Sequence, residues 1–148
     1  MNNKQALRYW ANLSKSQISQ DSSKVNKINN HSTEDAKFIM NFADKNSDIL
    51  DLAAGTGGAL NLYYNKVHSI TAVEKFKEFS NLIVKADNVE IINTDIRGFD
   101  TDKKFHFIIL FGVMHYFNEQ ESKELYKKVK KFLVNGGGEV FLSNNNLV

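Results

Sequence analysis

Apolar and polar positions follow two rhythms along this chain, and the switches between them mark out the elements. Leu7, Tyr9, Trp10 and Leu13 cluster in an otherwise polar start and predict a short helix, followed by a flexible stretch through residues 14–30. From Ser32 the spacing is helical: Ala36, Ile39, Met40 and Ala43 share a face that Phe38 and Phe42 widen. Ser32, with Asp35 three residues on, predicts a capping box at its start, and Asp44-Lys45-Asn46-Ser47 ends it. Short apolar runs at 49–52, 68–73, 89–92, 105–111 and 139–143 predict five strands. Helical spacing returns between them over 59–64, at Phe76, Phe79, Leu82, Ile83 and Ala86, and at Leu125, Val129, Phe132 and Leu133. Asn118 and Glu121 predict the cap of that last helix.

Strands alternating with helices from residue 33 onward predict an α/β fold. The expected form is a doubly wound, mainly parallel sheet with right-handed crossovers and helices on both faces. In such a sheet ligands sit outside the carboxyl ends of the strands, where strand order reverses. Asp51, Glu74, Asp95 and the segment after Phe111 fall there, along one edge. The expected organisation is a polar, helical lid segment over 1–31 and a ligand-binding domain over 32–148. The strand at 139–143 is expected to be an open edge presenting Val140, Phe141 and Leu142, so the chain is a fragment or a partner covers that edge.

Composition narrows the options. With 148 residues, 42% hydrophobic and 24% charged, one domain with a core is expected. A net charge of +2 gives no reason to expect a nucleic-acid or membrane partner. The start MNNKQALRYW lacks the apolar core of a secretory signal, and no run is long enough to span a bilayer, so the cytoplasm is the expected compartment. Without cysteine there is no disulfide, thiolate metal site or thiol nucleophile. The lysines at 123, 127, 128, 130 and 131 alternate with a good apolar stripe and read as a solvated helix face.

The chemistry concentrates in Asp51-Leu-Ala-Ala-Gly55-Thr-Gly57-Gly58. Glycines let the backbone turn sharply and approach a ligand, and the next helix start offers N–H groups to an anion. A dinucleotide fingerprint needs a third glycine where this chain has Leu60, and Asp51 would repel a pyrophosphate. Asp51 suits an ammonium, directly or through water. Glu74 ends the second strand, where a carboxylate can accept from both hydroxyls of a ribose. Asp95 and the Ile96 N–H can meet an adenine edge, and Phe76 and Ile96 can sandwich the ring. Asp95 can equally form a local Asx-turn.

With these elements in this order, residues 33–143 resemble the class I (Rossmann-like) S-adenosylmethionine-dependent methyltransferases. DLAAGTG resembles the family's first motif with Ala53 in the first glycine's place, Asn93-Thr94-Asp95-Ile96 its adenine loop, LFGVMHYF the segment after its fourth strand and GGGEVFLS its fifth strand. The resemblance implies that S-adenosylmethionine is held by Asp51, Ala53, Gly55, Gly57, Glu74, Lys75, Phe76, Asp95, Ile96 and Phe111. It implies methyl transfer by in-line displacement. His106 stands where the family often has an acid and is given no role. His115 is the candidate base, or else a histidine at a helix start packing on Tyr116. Tyr9 and Trp10 form either a lid over the cofactor or the apolar face of an amphipathic helix. The Asn/Asp-Pro-Pro-aromatic signature for exocyclic or amide nitrogens is missing, so the expected acceptor is a small molecule, such as a sugar or another polar metabolite. Two alternatives stand beside this reading: a non-catalytic S-adenosylmethionine-binding subunit, and a nicotinamide-dependent oxidoreductase.

Overall fold

The computed structural model describes residues 3–16, 19 and 31–143. Helix α1 spans Asn3–Ser14 and α2 Ser32–Met40; then come β1 (Asp48–Leu52), α3 (Leu60–Tyr63), β2 (Ser69–Val73), α4 (Lys77–Ser80), β3 (Val89–Ile92), β4 (Phe107–Phe111), α5 (Glu119–Lys130) and β5 (Glu139–Ser143). The strands form one parallel sheet in the order β3-β2-β1-β4-β5. The chain winds outward from β1 to β3, then returns beside β1 with β4 and winds the other way. That places the switch point between β1 and β4. The doubly wound parallel sheet expected from the sequence is therefore present.

Alternation along β1 separates two cores. Ile49 packs with Ile70, Ala72 and Ile109 beneath Ala36 and Ile39 of α2 and Leu60 and Tyr63 of α3. Leu50 and Leu52 point the other way and join Ile108, Leu110 and Val73 beneath Leu125 and Val129 of α5. Asp51 follows the alternation, so it lies on the Ile49 face.

Several local expectations change. Asn118 caps α5 as expected, accepting from the Glu121 N–H at 2.9 Å while the Glu121 carboxylate accepts from the Asn118 N–H at 2.9 Å. Ser32 does not cap α2. It is the buried first helical residue, and His31 holds the cap position with no side-chain cap bond, its carbonyl accepting from the Asp35 N–H at 2.8 Å. The helix predicted through 76–86 stops at Ser80. The Asn61 amide takes the groups that would continue the region, donating to the Leu82 carbonyl at 3.0 Å and accepting from the Val84 N–H at 2.9 Å. The fourth strand begins at Phe107, because Phe105 instead bridges to Leu133 and donates its N–H to the Phe132 carbonyl at 2.7 Å. Phe141 was expected to be exposed and is 6% exposed. Phe38 and Phe42 cover it from α2, with ring centroids 5.2 and 5.1 Å away, and Phe107 stacks at 5.3 Å. Val140 is half-buried, and the exposed apolar groups near β5 are Leu142, Phe38 and Phe42.

His106 has the structural part expected of it. Its Nδ1 accepts from the Asp48 N–H at 3.0 Å, at the amino end of the sheet. The lysines of α5 lie on its outer side; Lys123 pairs with Glu119 at 2.6 Å and Lys128 donates to the Arg97 carbonyl at 3.0 Å. Among the described residues no helix is long and apolar enough to cross a membrane.

Candidate functional site

The site grows from the loop that leaves β1. Ala53, Gly55 and Gly57 take positive φ values of 63°, 59° and 75°, so every second residue turns the chain the unusual way. The Ala54 N–H is donated to the Val73 carbonyl at 3.0 Å, which pins the loop to the end of β2. Successive N–H groups in such a path turn toward one concave side and form a cradle. Ala53 pays a steric cost in that conformation that glycine does not. Its relief, about 1–2 kcal/mol, exceeds the about 0.4–1 kcal/mol of extra unfolded-state entropy. Ala53→Gly is therefore expected to raise the melting temperature by about 2 °C at about 2–4 °C per kcal/mol. A fall on thermal unfolding would show that the Ala53 methyl makes contacts worth more than the strain.

Glu74 is the centre of the arrangement. It is 6% exposed, and its two carboxylate oxygens accept from the Gly55 N–H at 2.8 Å and the Phe76 N–H at 2.9 Å. One acid thus ties the cradle after β1 to the loop after β2. Burial pushes its carboxyl above the ordinary range, against the opposing N–H donors of Phe76, Gly55 and Lys75. Each oxygen keeps a further lone pair for an incoming donor. Asn93, which opens the adenine-loop motif without a role of its own there, fixes the same corner: its amide donates to the Glu74 carbonyl at 2.9 Å and to the Ser80 hydroxyl at 2.8 Å.

Asp95 lies beyond β3 and meets Lys75 at 2.9 Å. It also accepts the Arg97 N–H at 2.9 Å, which is the local Asx-type turn foreseen as an alternative. Burial alone would raise the Asp95 carboxyl, but the Arg97 N–H and the Lys75 ammonium outweigh it and hold the group below its usual value. Lys75 and Asp95 therefore form one ion pair across the expected adenine end. The Phe76 ring rests edge-on to Phe79 at 5.8 Å. Ile96 packs into the α5-side core and Phe111 into the α2-side core, its ring 6.4 Å from Phe38.

The opposite wall comes from the short 3-10 turn Met114–Tyr116 after β4. The His115 ring lies on Tyr116 with centroids 3.8 Å apart, and burial holds its imidazole below the usual value. Trp10 of α1 reaches both walls, its ring 6.1 Å from that of Phe79 and 6.5 Å from that of Tyr116. Sequence spacing had offered a lid or an amphipathic face for α1; Leu7, Trp10 and Leu13 are half-buried and Tyr9 is exposed, the buried positions are Ala6 and Ser14, and Trp10 joins the β2 and β4 sides of the mouth.

The donor set fits the cofactor that the sequence resemblance implies. Two acids, Asp51 and the buried Glu74, line the edge, which suits a cationic ammonium and a neutral diol and opposes a pyrophosphate. Among the described residues no group of three or more His, Cys, Asp and Glu side chains is arranged to hold a metal ion.

Comparison with known proteins agrees. A family described as methyltransferase domain matches residues 49–137, more than half of the chain. Among solved structures, phosphoethanolamine N-methyltransferase 1 of Haemonchus contortus, in complex with phosphoethanolamine and S-adenosylhomocysteine, superposes with a TM-score of 0.81. It is 16% identical, over 95% of this chain and 31% of that one. The DhpI-SAM-HEP complex gives a TM-score of 0.71 at 19% identity, over 93% of this chain and 63% of that one. The glycopeptide N-methyltransferase MtfA complexed with S-adenosylmethionine gives 0.64 at 22% identity, over 78% and 54%. This chain thus spans less than two thirds of each, and at these identities the likeness is one of fold. No curated protein matches the sequence.

Proposed function

This chain belongs to the methyltransferase-domain family, and from that premise we propose that it binds S-adenosylmethionine and directs methyl transfer to a small polar acceptor. The observation that carries the reading is the buried Glu74 carboxylate, held at the carboxyl end of β2 by the Gly55 and Phe76 N–H groups. When bound, the cofactor supplies an electrophilic methyl group on a sulfonium. Glu74 accepts from the two ribose hydroxyls. Asp51 faces the ammonium, and the cradle through Ala53, Gly55 and Gly57 takes the amino-acid end. Lys75, Phe76, Asp95 and Ile96 surround the adenine, with Phe111 at the wall after β4. The protein's remaining task is to hold an acceptor in line with the methyl and exclude water, which is mostly positioning.

His115 is the base for a hydroxyl acceptor. Held below its usual value by burial, it is neutral near pH 7 and able to take a proton at an imidazole nitrogen. The Trp10 bridge from Phe79 to Tyr116 supports α1 as a lid over a small acceptor. The exposed Phe38, Phe42 and Leu142 beside β5 support a covering partner or second copy on that edge.

The test is calorimetric titration with S-adenosylhomocysteine and, separately, with a nicotinamide dinucleotide. Micromolar binding of the first and none of the second is expected, with the first lost in Asp51→Ala. Dinucleotide binding would replace this reading with an oxidoreductase. Failure of a folded chain to bind S-adenosylhomocysteine would end it.

A further inference from the structure

Tyr63 is a large polar side chain in a place where polarity has no evident use. It ends α3, is fully buried, and packs among Ile49, Ile70, Ile109 and Phe141. Among the described residues its hydroxyl has no hydrogen-bond partner. A buried hydroxyl without a partner is uncommon, because it loses its water and gains nothing in return. A phenylalanine would fill the same space without that cost. The hydroxyl therefore calls for a partner that arrives with another state of the protein.

The fold supplies one. Strand alternation puts Asp51 on the same sheet face as Ile49, which is the face Tyr63 packs against. Asp51 is at the carboxyl end of β1, and its negative charge is felt at the Tyr63 phenol, which burial first and that charge second drive well above its usual value. The phenol thus stays protonated and can only be a donor or a neutral acceptor. The charge it feels belongs to a carboxylate, an acceptor with several lone pairs.

We infer that Tyr63 is a positioning residue for Asp51: in the cofactor-bound state its buried hydroxyl donates to the Asp51 carboxylate and fixes that group toward the cofactor's ammonium. This rests on the proposed S-adenosylmethionine reading. When the ammonium arrives the bond gives the Asp51 carboxylate a second fixed partner, and the hydroxyl gains the partner it lacks among the described residues of the free protein. The effect is expected to be confined to the amino-acid end of the ligand, where Asp51 stands.

That confinement gives the experiment. The parent chain and Tyr63→Phe are titrated with S-adenosylhomocysteine and with methylthioadenosine, which keeps the nucleoside and lacks the amino-acid group. Thermal unfolding is recorded without ligand. Tyr63→Phe is expected to melt at or above the parent temperature, because only an unsatisfied hydroxyl is lost. Its Kd for S-adenosylhomocysteine is expected to rise about tenfold, the size of one hydrogen bond to a charged group, with methylthioadenosine unchanged. In an Asp51→Asn background the same substitution is expected to change the Kd by less than about twofold, since the charged acceptor is gone. Equal weakening of both ligands, no weakening of either, or a marked loss of stability in the free chain overturns the inference while leaving the cofactor reading intact. A parent that binds neither ligand overturns both.

Discussion

A Glu74→Gln chain is expected to lose roughly a hundredfold in affinity for S-adenosylhomocysteine and to become less stable without it. Two hydrogen bonds from ribose hydroxyls to a carboxylate are each worth about 1.5–3 kcal/mol. An amide keeps the shape but offers one neutral acceptor in place of two charged ones. A loss of about 3 kcal/mol, hence about a hundredfold, follows. The free protein suffers as well. Both Glu74 oxygens already accept backbone N–H groups, from Gly55 and Phe76. The amide must turn its NH2 toward one of them, leaving two donors facing each other in a site that is 6% exposed. Calorimetry and thermal unfolding on the same sample separate the two effects, and near-parental affinity in a folded Glu74→Gln chain would remove Glu74 from the cofactor site.

The same residue sets an acid limit on binding. In the free chain burial raises the Glu74 carboxyl, so its contribution to stability is fully present below the unfolded value and is lost as pH rises through the folded one. Ribose donors favour the charged form and draw that value back down. Affinity should then be level at neutral pH and fall as pH drops through the raised value of the free chain, by at most about tenfold per pH unit for one proton. Glu74→Gln should be weak and lack this component of the pH dependence.

What the sequence revealed of this site follows how far apart the interacting groups lie along the chain. Glu74 was legible because a strand pattern ends at Val73 and the next residue is an acid. The Asn118 cap was legible because both partners sit within one helical turn. Asn61 and Asn93 were not, because an asparagine in a loop is usual and their partners are fixed by the fold: Asn61 reaches across 21 and 23 residues to Leu82 and Val84, and Asn93 across 19 to Glu74. The shortened α4 is the cost of that first reach, and no local propensity predicts it. Phe141 looked exposed because its strand was read alone; its covers, Phe38 and Phe42, precede it by about a hundred residues and meet it only once α2 packs on the sheet. Tyr63 lay within the helical spacing of 59–64, and nothing in that spacing marked its hydroxyl.

Gly57 shows how a motif glycine can have a second reason behind it, and Gly57→Ala is expected to be more destabilising than Gly112→Ala. A glycine between turn and helix reads as room for a ligand. Yet a Cβ at Gly57 would lie 2.9 Å from Ile83 Cγ1 and 3.0 Å from Asn61 Oδ1, so the first thing excluded is the protein's own packing. Neither neighbour yields easily. Asn61 is held at both ends by Leu82 and Val84, and Ile83 is 2% exposed between them. Positive φ adds about 1 kcal/mol and overpacking about 1–3 kcal/mol. The sum lowers the melting temperature by about 8 °C at about 2–4 °C per kcal/mol. Gly112→Ala isolates the two terms: Gly112 has a φ of 68°, close to the 75° of Gly57, but nothing lies within 4 Å of its added Cβ. It should cost only the backbone strain, about 1 kcal/mol and hence about 3 °C. Equal losses in the two variants would mean that Ile83 and Asn61 move aside, and that Gly57 is required by its backbone conformation alone. A larger loss at Gly57, partly restored by adding Ile83→Val, would place the constraint on the contact between the β1 cradle and the turn after α4.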